Sequence, residues 1–275
     1  SHRAALFAAL AEGESVIENF LSANVTHAML QALSAIGVSW QLQKDVLRIH
    51  SRGLASWQPP VAPLDCGNSA TSLRLLAGTL AASGLAAVLD GTPGLRRRPM
   101  ARILEPLRQM GVSISAAPGD TAPLALKHRS SNQLLLPLHY QMPISSAQVK
   151  SCLLLAALAA DGETTLSEPF PSRDHTERML RAMGVQVSSD SEHDMFITRL
   201  RPPRPFRLAP LNMVLPGDIS AAAFLVVAAL ITPGSEVHLC NVGLNSTRTG
   251  VLDALARMGA EIAVHPYPAP GVPHT

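Results

Sequence analysis

Four glycines divide this chain into near-equal lengths: Gly37, Gly111, Gly184 and Gly259 stand 74, 73 and 75 residues apart. Each occupies the same local setting, in SAIGVSW, RQMGVSI, RAMGVQV and ARMGAEI. A period of this length is the mark of one supersecondary unit repeated, so the unit dictates the fold. An amphipathic helical pattern precedes each glycine. In the second copy Met100, Ile103, Leu104, Leu107 and Met110 recur at steps of three and four. The glycine then reads as the left-handed terminator of that helix, with a strand starting just beyond it. Pro106, inside the second of these helices, predicts a kink or a late start there.

The rest of the unit follows by working backwards. A strand precedes each helix (SVIENFL, AAVLDG, TTLSEPF, EVHLCNVG), and an Ala/Leu-rich helix precedes each strand (AALFAALA, LRLLAGTLAAS, VKSCLLLAALAA, AAAFLVVAALI). Three of these helices follow a further strand-like stretch that ends in small polar residues, in APLDCGNSAT, YQMPISSAQ and NMVLPGDISA. A hairpin comes after the glycine, as in VSWQLQ-KD-VLRIH. The unit is β-α-β-α-β-β, and the fold class is α/β. The first copy lacks its leading strand and the fourth reaches AEIAVH and PYPAPGVPHT without a return strand, so the chain reads as a fragment open at both ends. Pro-rich RPPRPFRLAP separates the third copy from the fourth and predicts two domains, a three-repeat unit over 1–205 and the incomplete start of a second over 206–275.

Chemistry is expected in the polar loops ahead of the Ala/Leu helices: Ser1-His2-Arg3, Asn68-Ser69-Ala70-Thr71, Ser145-Ser146-Ala147-Gln148 and Asp218-Ile219-Ser220. Each offers hydroxyls, amides and free backbone N–H groups at a helix N-terminus, where partial positive charge favours phosphate or carboxylate. Capping alone would explain any one of them. Recurrence in every copy favours an anion site where equivalent loops converge. Basic residues cluster nearby: Arg3, Arg74, Arg96, Arg97, Arg98, Lys150 and Arg173. Arg98, followed by Pro99, stands at a helix mouth and suits bidentate contact with an anion. Asp174 and Glu177 have capping-box spacing, and that structural role is the expectation for both. His175 is a candidate for titration near neutrality.

Other function classes find little support. With 22 basic and 20 acidic residues and 4% aromatics, the chain has no basic, stacking surface for nucleic acid. The longest apolar run, 221–231, is too short to span a bilayer. The ten histidines include no HxxxH, and neither GxGxxG nor a Walker loop occurs. Cys66, Cys152 and Cys240 lack CxxC spacing and read as buried free thiols of a reducing compartment, so a cytoplasmic protein is expected.

Six stretches in order, SHRAALFAALAEGES, LDCGNSATSLRLLAG, GLRRRPMARILEPLRQMGV, SSAQVKSCLLLAALAADGETT, PSRDHTERMLRAMGV and PGDISAAAFLVVAALITPGSEV, resemble the motifs of the 3-phosphoshikimate 1-carboxyvinyltransferase (EPSP synthase) family. SSAQVKS and SRDHTERM are similar to the glyphosate-tolerant, class II-like branch. The resemblance implies two domains of three β-α-β-α-β-β copies each, with the substrates between them. It implies transfer of the enolpyruvyl group of phosphoenolpyruvate to the 5-hydroxyl of shikimate 3-phosphate, without metal or organic cofactor. Carried over residue by residue, Arg3, Ser146, Ala147, Gln148, Ser172 and Arg173 would bind shikimate 3-phosphate. Asn68, Ala70, Thr71, Arg98 and Gln148 would bind phosphoenolpyruvate.

Ala70 stands where many members have glycine, and Ala147 where some have serine. The family's lysine before SHR, and the segments with its catalytic Asp and Glu, lie outside this sequence. The catalytic residues are therefore expected elsewhere, and the 275 residues alone are expected to be catalytically silent and monomeric. Partners are small-molecule substrates, with no nucleic acid and no membrane. UDP-N-acetylglucosamine 1-carboxyvinyltransferases share the chemistry but carry a reactive cysteine beside arginine, which GLRRRPM lacks. RNA 3′-phosphate cyclases share part of the architecture, without matching motifs here. A module that only holds shikimate 3-phosphate is the non-enzymatic alternative.

Overall fold

The computed structural model describes residues 1–130 and 132–265. The sequence expectations for 266–275 lie outside the described residues. The first copy contributes α1 (His2–Leu10), β1 (Glu12–Glu18), α2 (Asn24–Ala35), β2 (Ser39–Gln43) and β3 (Val46–Arg52). The second contributes β4 (Leu64–Asp65), α3 (Ala70–Ser83), β5 (Ala87–Asp90), a short α4 (Pro93–Arg96), α5 (Ala101–Gln109), β6 (Ile114–Ala117) and β7 (Thr121–Leu126). The third has β8 (His139–Gln141), α6 (Ala147–Ala157), β9 (Thr164–Glu168), α7 (His175–Ala182), β10 (Gln186–Glu192) and β11 (Met195–Arg201). Then come β12 (Met213–Val214), α8 (Ile219–Leu230) and α9 (Gly250–Arg257).

The repeat glycines do the work the spacing predicts. Gly37, Gly111, Gly184 and Gly259 have φ of 90°, 87°, 90° and 90°, a region where a Cβ is strained. Each closes a Schellman motif. Gly37 N–H donates to the Ser34 carbonyl and Val38 N–H to that of Leu33, and the same pair of bonds recurs after α5, α7 and α9. α5 starts at Ala101 with Pro106 inside it, so the late start expected there does not occur.

Three four-stranded sheets share one topology: β4-β5-β7-β6, β8-β9-β11-β10 and β12-β1-β3-β2. In each, the first two strands run parallel around a buried helix and the last two form a hairpin. The strand that leads the first copy's sheet comes from downstream. β12 pairs with β1 in the register Ile17 to Met213, and Leu215 N–H donates to the Glu18 carbonyl at 2.9 Å. Segment 206–215, grouped with the second domain in the sequence reading, is thus laid along the first copy's sheet. In the fourth copy, 236–243 makes a single bridge, Gly217 to Val242, instead of the expected strand, and 260–265 forms none. Without a neighbouring strand, apolar alternation has no ladder to complete.

The Ala/Leu helices α1, α3 and α6 form the centre. Ala4 to Leu10 are fully buried, as are Leu73, Leu75, Leu76, Cys152, Leu153 and Leu154. Their small residues let backbones approach: a Cβ built on Gly78 would come within 2.1 Å of the Cys152 carbonyl oxygen. α8 has a similar composition but exposes Phe224 and Leu225. Cys66 and Cys152 are buried, and burial pushes both thiols up to about 12. Cys240 is exposed, against the expectation for all three.

Gly78→Ala forces α3 away from α6, a backbone displacement at the upper end of overpacking costs. It is expected to destabilise by about 3 kcal/mol. Thermal melting should drop by roughly 6–12 °C. A melt within a degree of wild type would show that the two helices are not held by this contact.

Candidate functional site

Helices α1, α3 and α6 are tied to one another at their N-terminal ends. His2 Nε2 meets Ser69 Oγ at 3.4 Å, joining α1 to the start of α3. Gln148 Nε2 donates to Thr71 Oγ1 at 2.8 Å, joining α6 to α3. Arg3 donates from Nη2 to Ser151 Oγ and from Nε to Thr176 Oγ1, each at 3.0 Å, joining α1 to α6 and α7. Three helix mouths therefore face one region, each bringing free N–H groups and the positive end of its dipole.

The second-copy mouth is built around Ser69, the N-cap of α3, which accepts from Ser72 N–H. Ala70 is buried beside it, and Asn68 is exposed with Oδ1 accepting from the Thr92 hydroxyl at 3.2 Å. Arg74 donates to Gln148 Oε1 and, at 3.1 Å, to the Pro99 carbonyl, which fixes Gln148 from both ends of its amide. Arg98 and Arg102 lie near enough to Arg74 to depress its pKa, after the larger effect of burial. Arg98 is exposed, and its guanidinium has no hydrogen bond or ion pair among the described residues. Arg96 is not free: Asp90 holds it with two parallel bonds of 2.8 and 2.5 Å.

In the third copy Ser146 caps α6, accepting from Val149 N–H at 3.5 Å, with Ala147 buried behind it. Ser172 lies across from this mouth, half-buried, and Arg173 is exposed beyond it. Arg3 is desolvated, and burial with Arg173 nearby brings its pKa down to about 10 against the pull of Glu177. It stays a cation at neutral pH. At His175, burial first and then Arg3 push the imidazole below its ordinary value.

The ten residues carried over from the resemblance lie at these three mouths or in the loops beside them, whereas at the fourth expected mouth Asp218 accepts from Ser220 N–H and pairs with Arg248 instead of joining the other three. Two further expectations fail. Asp174 makes no capping bond to α7, and instead accepts from Arg178 at 2.8 Å and from Asn245 at 2.6 Å. Lys150 does not face the anion region. It points inward, 2.7 Å from both Glu168 and Glu177, which leaves Glu177 no part in a capping box. Ser151, Thr176 and Glu168 are the residues the sequence reading did not place at the site, and Arg74 appeared there only as a nearby cation without a role.

Similarity to known proteins points to one family. The family profile described as EPSP synthase (3-phosphoshikimate 1-carboxyvinyltransferase) matches residues 1–269. A 3-phosphoshikimate 1-carboxyvinyltransferase of Coxiella burnetii (strain RSA 493 / Nine Mile phase I) is 45% identical over 269 residues, 97% of this chain and 59% of that protein. One from Methylococcus capsulatus is 45% identical over 96% of this chain and 59% of its own length. An EPSP synthase structure from Acinetobacter baumannii superposes with a TM-score of 0.85 at 43% identity, covering 94% of this chain and 57% of that one. The chain spans about three-fifths of the relatives it matches.

Gln148→Ala removes both bonds that join α6 to α3 at the site. The expected cost is about 1–2 kcal/mol in urea unfolding, with the denaturant slope unchanged. An unaltered midpoint would mean the mouths are not coupled through this amide.

Proposed function

The chain belongs to the EPSP synthase family, and from that premise we propose that it forms one wall of an enzyme active site that transfers the enolpyruvyl group of phosphoenolpyruvate to the 5-hydroxyl of shikimate 3-phosphate, releasing phosphate. The observation that carries this reading is the joining of three helix N-termini by Arg3, Thr71, Gln148 and Ser69. Both substrates are a phosphate and a carboxylate on a small frame, and such a junction is suited to hold them.

The roles are those the family resemblance implies, supported by the hydrogen bonds that link these mouths. Arg3 takes the shikimate carboxylate. Ser146, the Ala147 N–H, Gln148, Ser172 and Arg173 take shikimate 3-phosphate. Asn68, Ala70, Thr71 and Arg98 line the phosphoenolpyruvate side, and Gln148, fixed by Arg74 and Thr71, touches both ligands. Groups held by side-chain bonds before substrate arrives need little reorganisation, which favours transition-state stabilisation over mere binding. The groups that move protons are proposed to lie outside these 275 residues. Ala70, which is buried, carries a methyl where many family members have glycine, and it would narrow the proposed phosphoenolpyruvate side and lower sensitivity to glyphosate.

Residues 1–205 with segment 206–215 make the three-repeat unit, and the second domain starts beyond β12.

Arg98 is exposed without a fixed partner, as an arginine reserved for ligand would be. In the complete protein, Arg98→Ala is expected to lower kcat/KM for phosphoenolpyruvate roughly 30- to 1,000-fold, the loss of a bidentate charged contact worth about 2–4 kcal/mol. Shikimate 3-phosphate binding should change far less. Phosphate-release kinetics with each substrate varied checks this; equal weakening of both would contradict the role of Arg98. No phosphate release from wild type would overturn the activity itself.

A further inference from the structure

Inside the third copy lies a charged cluster that none of these roles uses. Lys150 is the fourth residue of α6, Glu168 the last of β9 and Glu177 the third of α7. Their side chains are 4%, 2% and 1% exposed. Lys150 Nζ stands 2.7 Å from one oxygen of each carboxylate. Neither Glu168 Oε2 nor Glu177 Oε2 has a hydrogen-bond partner among the described residues. One cation faces two carboxylates with almost no water. Burial would lower the lysine's pKa, but Glu177 and Glu168 outweigh it and hold it above the ordinary value. Burial of Glu177 outweighs Lys150 and raises the carboxyl.

Stability does not explain such a cluster. Buried ion triads are often matched or bettered by apolar residues of similar volume. What distinguishes this one is what hangs from it. Glu168 Oε1 accepts from Lys150 Nζ at 2.7 Å, from Ser172 N–H at 3.1 Å and from the Ser172 hydroxyl at 3.0 Å. Lys150 Nζ also reaches the Ser172 carbonyl at 3.4 Å. The ion pair therefore grips the amide, hydroxyl and carbonyl of a single loop residue. Beside Glu177, Thr176 accepts from Arg3.

We propose that Lys150, Glu168 and Glu177 are positioning residues that hold the Ser172–Arg173 loop and the first turn of α7 in the geometry that receives a phosphate group. Three donors on one carboxylate oxygen exceed its two lone pairs, so the Ser172 hydroxyl is the surplus donor. It turns from Glu168 toward a phosphate oxygen, while Lys150 and the Ser172 N–H keep the carboxylate oxygen satisfied. The identity of the phosphate ligand rests on the proposed function; the grip on the loop rests on the geometry alone.

The test compares wild type with the triple variant Lys150→Met/Glu168→Leu/Glu177→Leu in the whole chain. The variant is expected to melt no lower than wild type by more than a few degrees. Amide hydrogen exchange over 169–174 should accelerate at least about tenfold, while α6 and β9 interiors stay protected. Affinity for shikimate 3-phosphate should fall roughly tenfold or more, and affinity for unphosphorylated shikimate much less. Should the triple variant not fold, Glu168→Gln keeps the shape and weakens only the charge, and the same loop-confined acceleration is expected. Unchanged exchange over 169–174 in a folded variant overturns the proposal, even if wild type binds shikimate 3-phosphate. Accelerated exchange with no shikimate 3-phosphate binding by wild type would instead sink the proposed function and leave the loop grip standing.

Discussion

The site depends on how closely α3 and α6 approach. With no side chain at Gly78, the α3 backbone lies against the Cys152 carbonyl at a distance no Cβ could share. That contact fixes the two helices as one body, so that their N-termini stand one glutamine apart. Gln148 spans the gap to Thr71, and Arg74 completes the link. α1, buried from Ala4 to Leu10, packs alongside and sends Arg3 to Ser151 and Thr176. Close packing in the core thus becomes geometric definition at the mouths. A looser contact, as larger residues would impose, would spread the three dipole ends and weaken any shared hold on an anion.

The cations around these mouths divide into two kinds. Arg3 and Arg74 are anchored by hydrogen bonds inside the protein, and Arg96 is tied to Asp90. Arg98 and Arg173 are exposed, with no side-chain hydrogen bond or ion pair among the described residues. Anchored arginines set the shape of the region, and unanchored ones remain able to close on a ligand. The negative counterweight lies beneath, in Glu168 and Glu177, where it steadies a loop without filling the anion region.

The repeat and its glycine terminators were legible because a Schellman motif is local: its bonds span six residues, and its left-handed position selects glycine. The capped helix mouths were legible for the same reason. Pairing of β12 with β1 was not, since some 200 residues separate them and nothing in a two-residue strand names its partner. Lys150 misled because a lysine near a helix start is usually solvated; only the arrival of Glu168 and Glu177 from other elements turns it inward. Asp174 and Glu177 had capping-box spacing, yet tertiary partners, Asn245 for one and Lys150 for the other, took both carboxylates. Local grammar was readable, and contacts between distant elements were not.

The central claim is that separate helix mouths act as one anion site, and backbone amide NMR tests it most directly. Titration of the isotopically labelled chain with shikimate 3-phosphate is predicted to move amides at Arg3, at Ala70 and Thr71, at Ala147 and Gln148, and at Ser172 and Arg173, all with one dissociation constant. Shifts confined to a single helix mouth, or separate constants at each, would contradict the account.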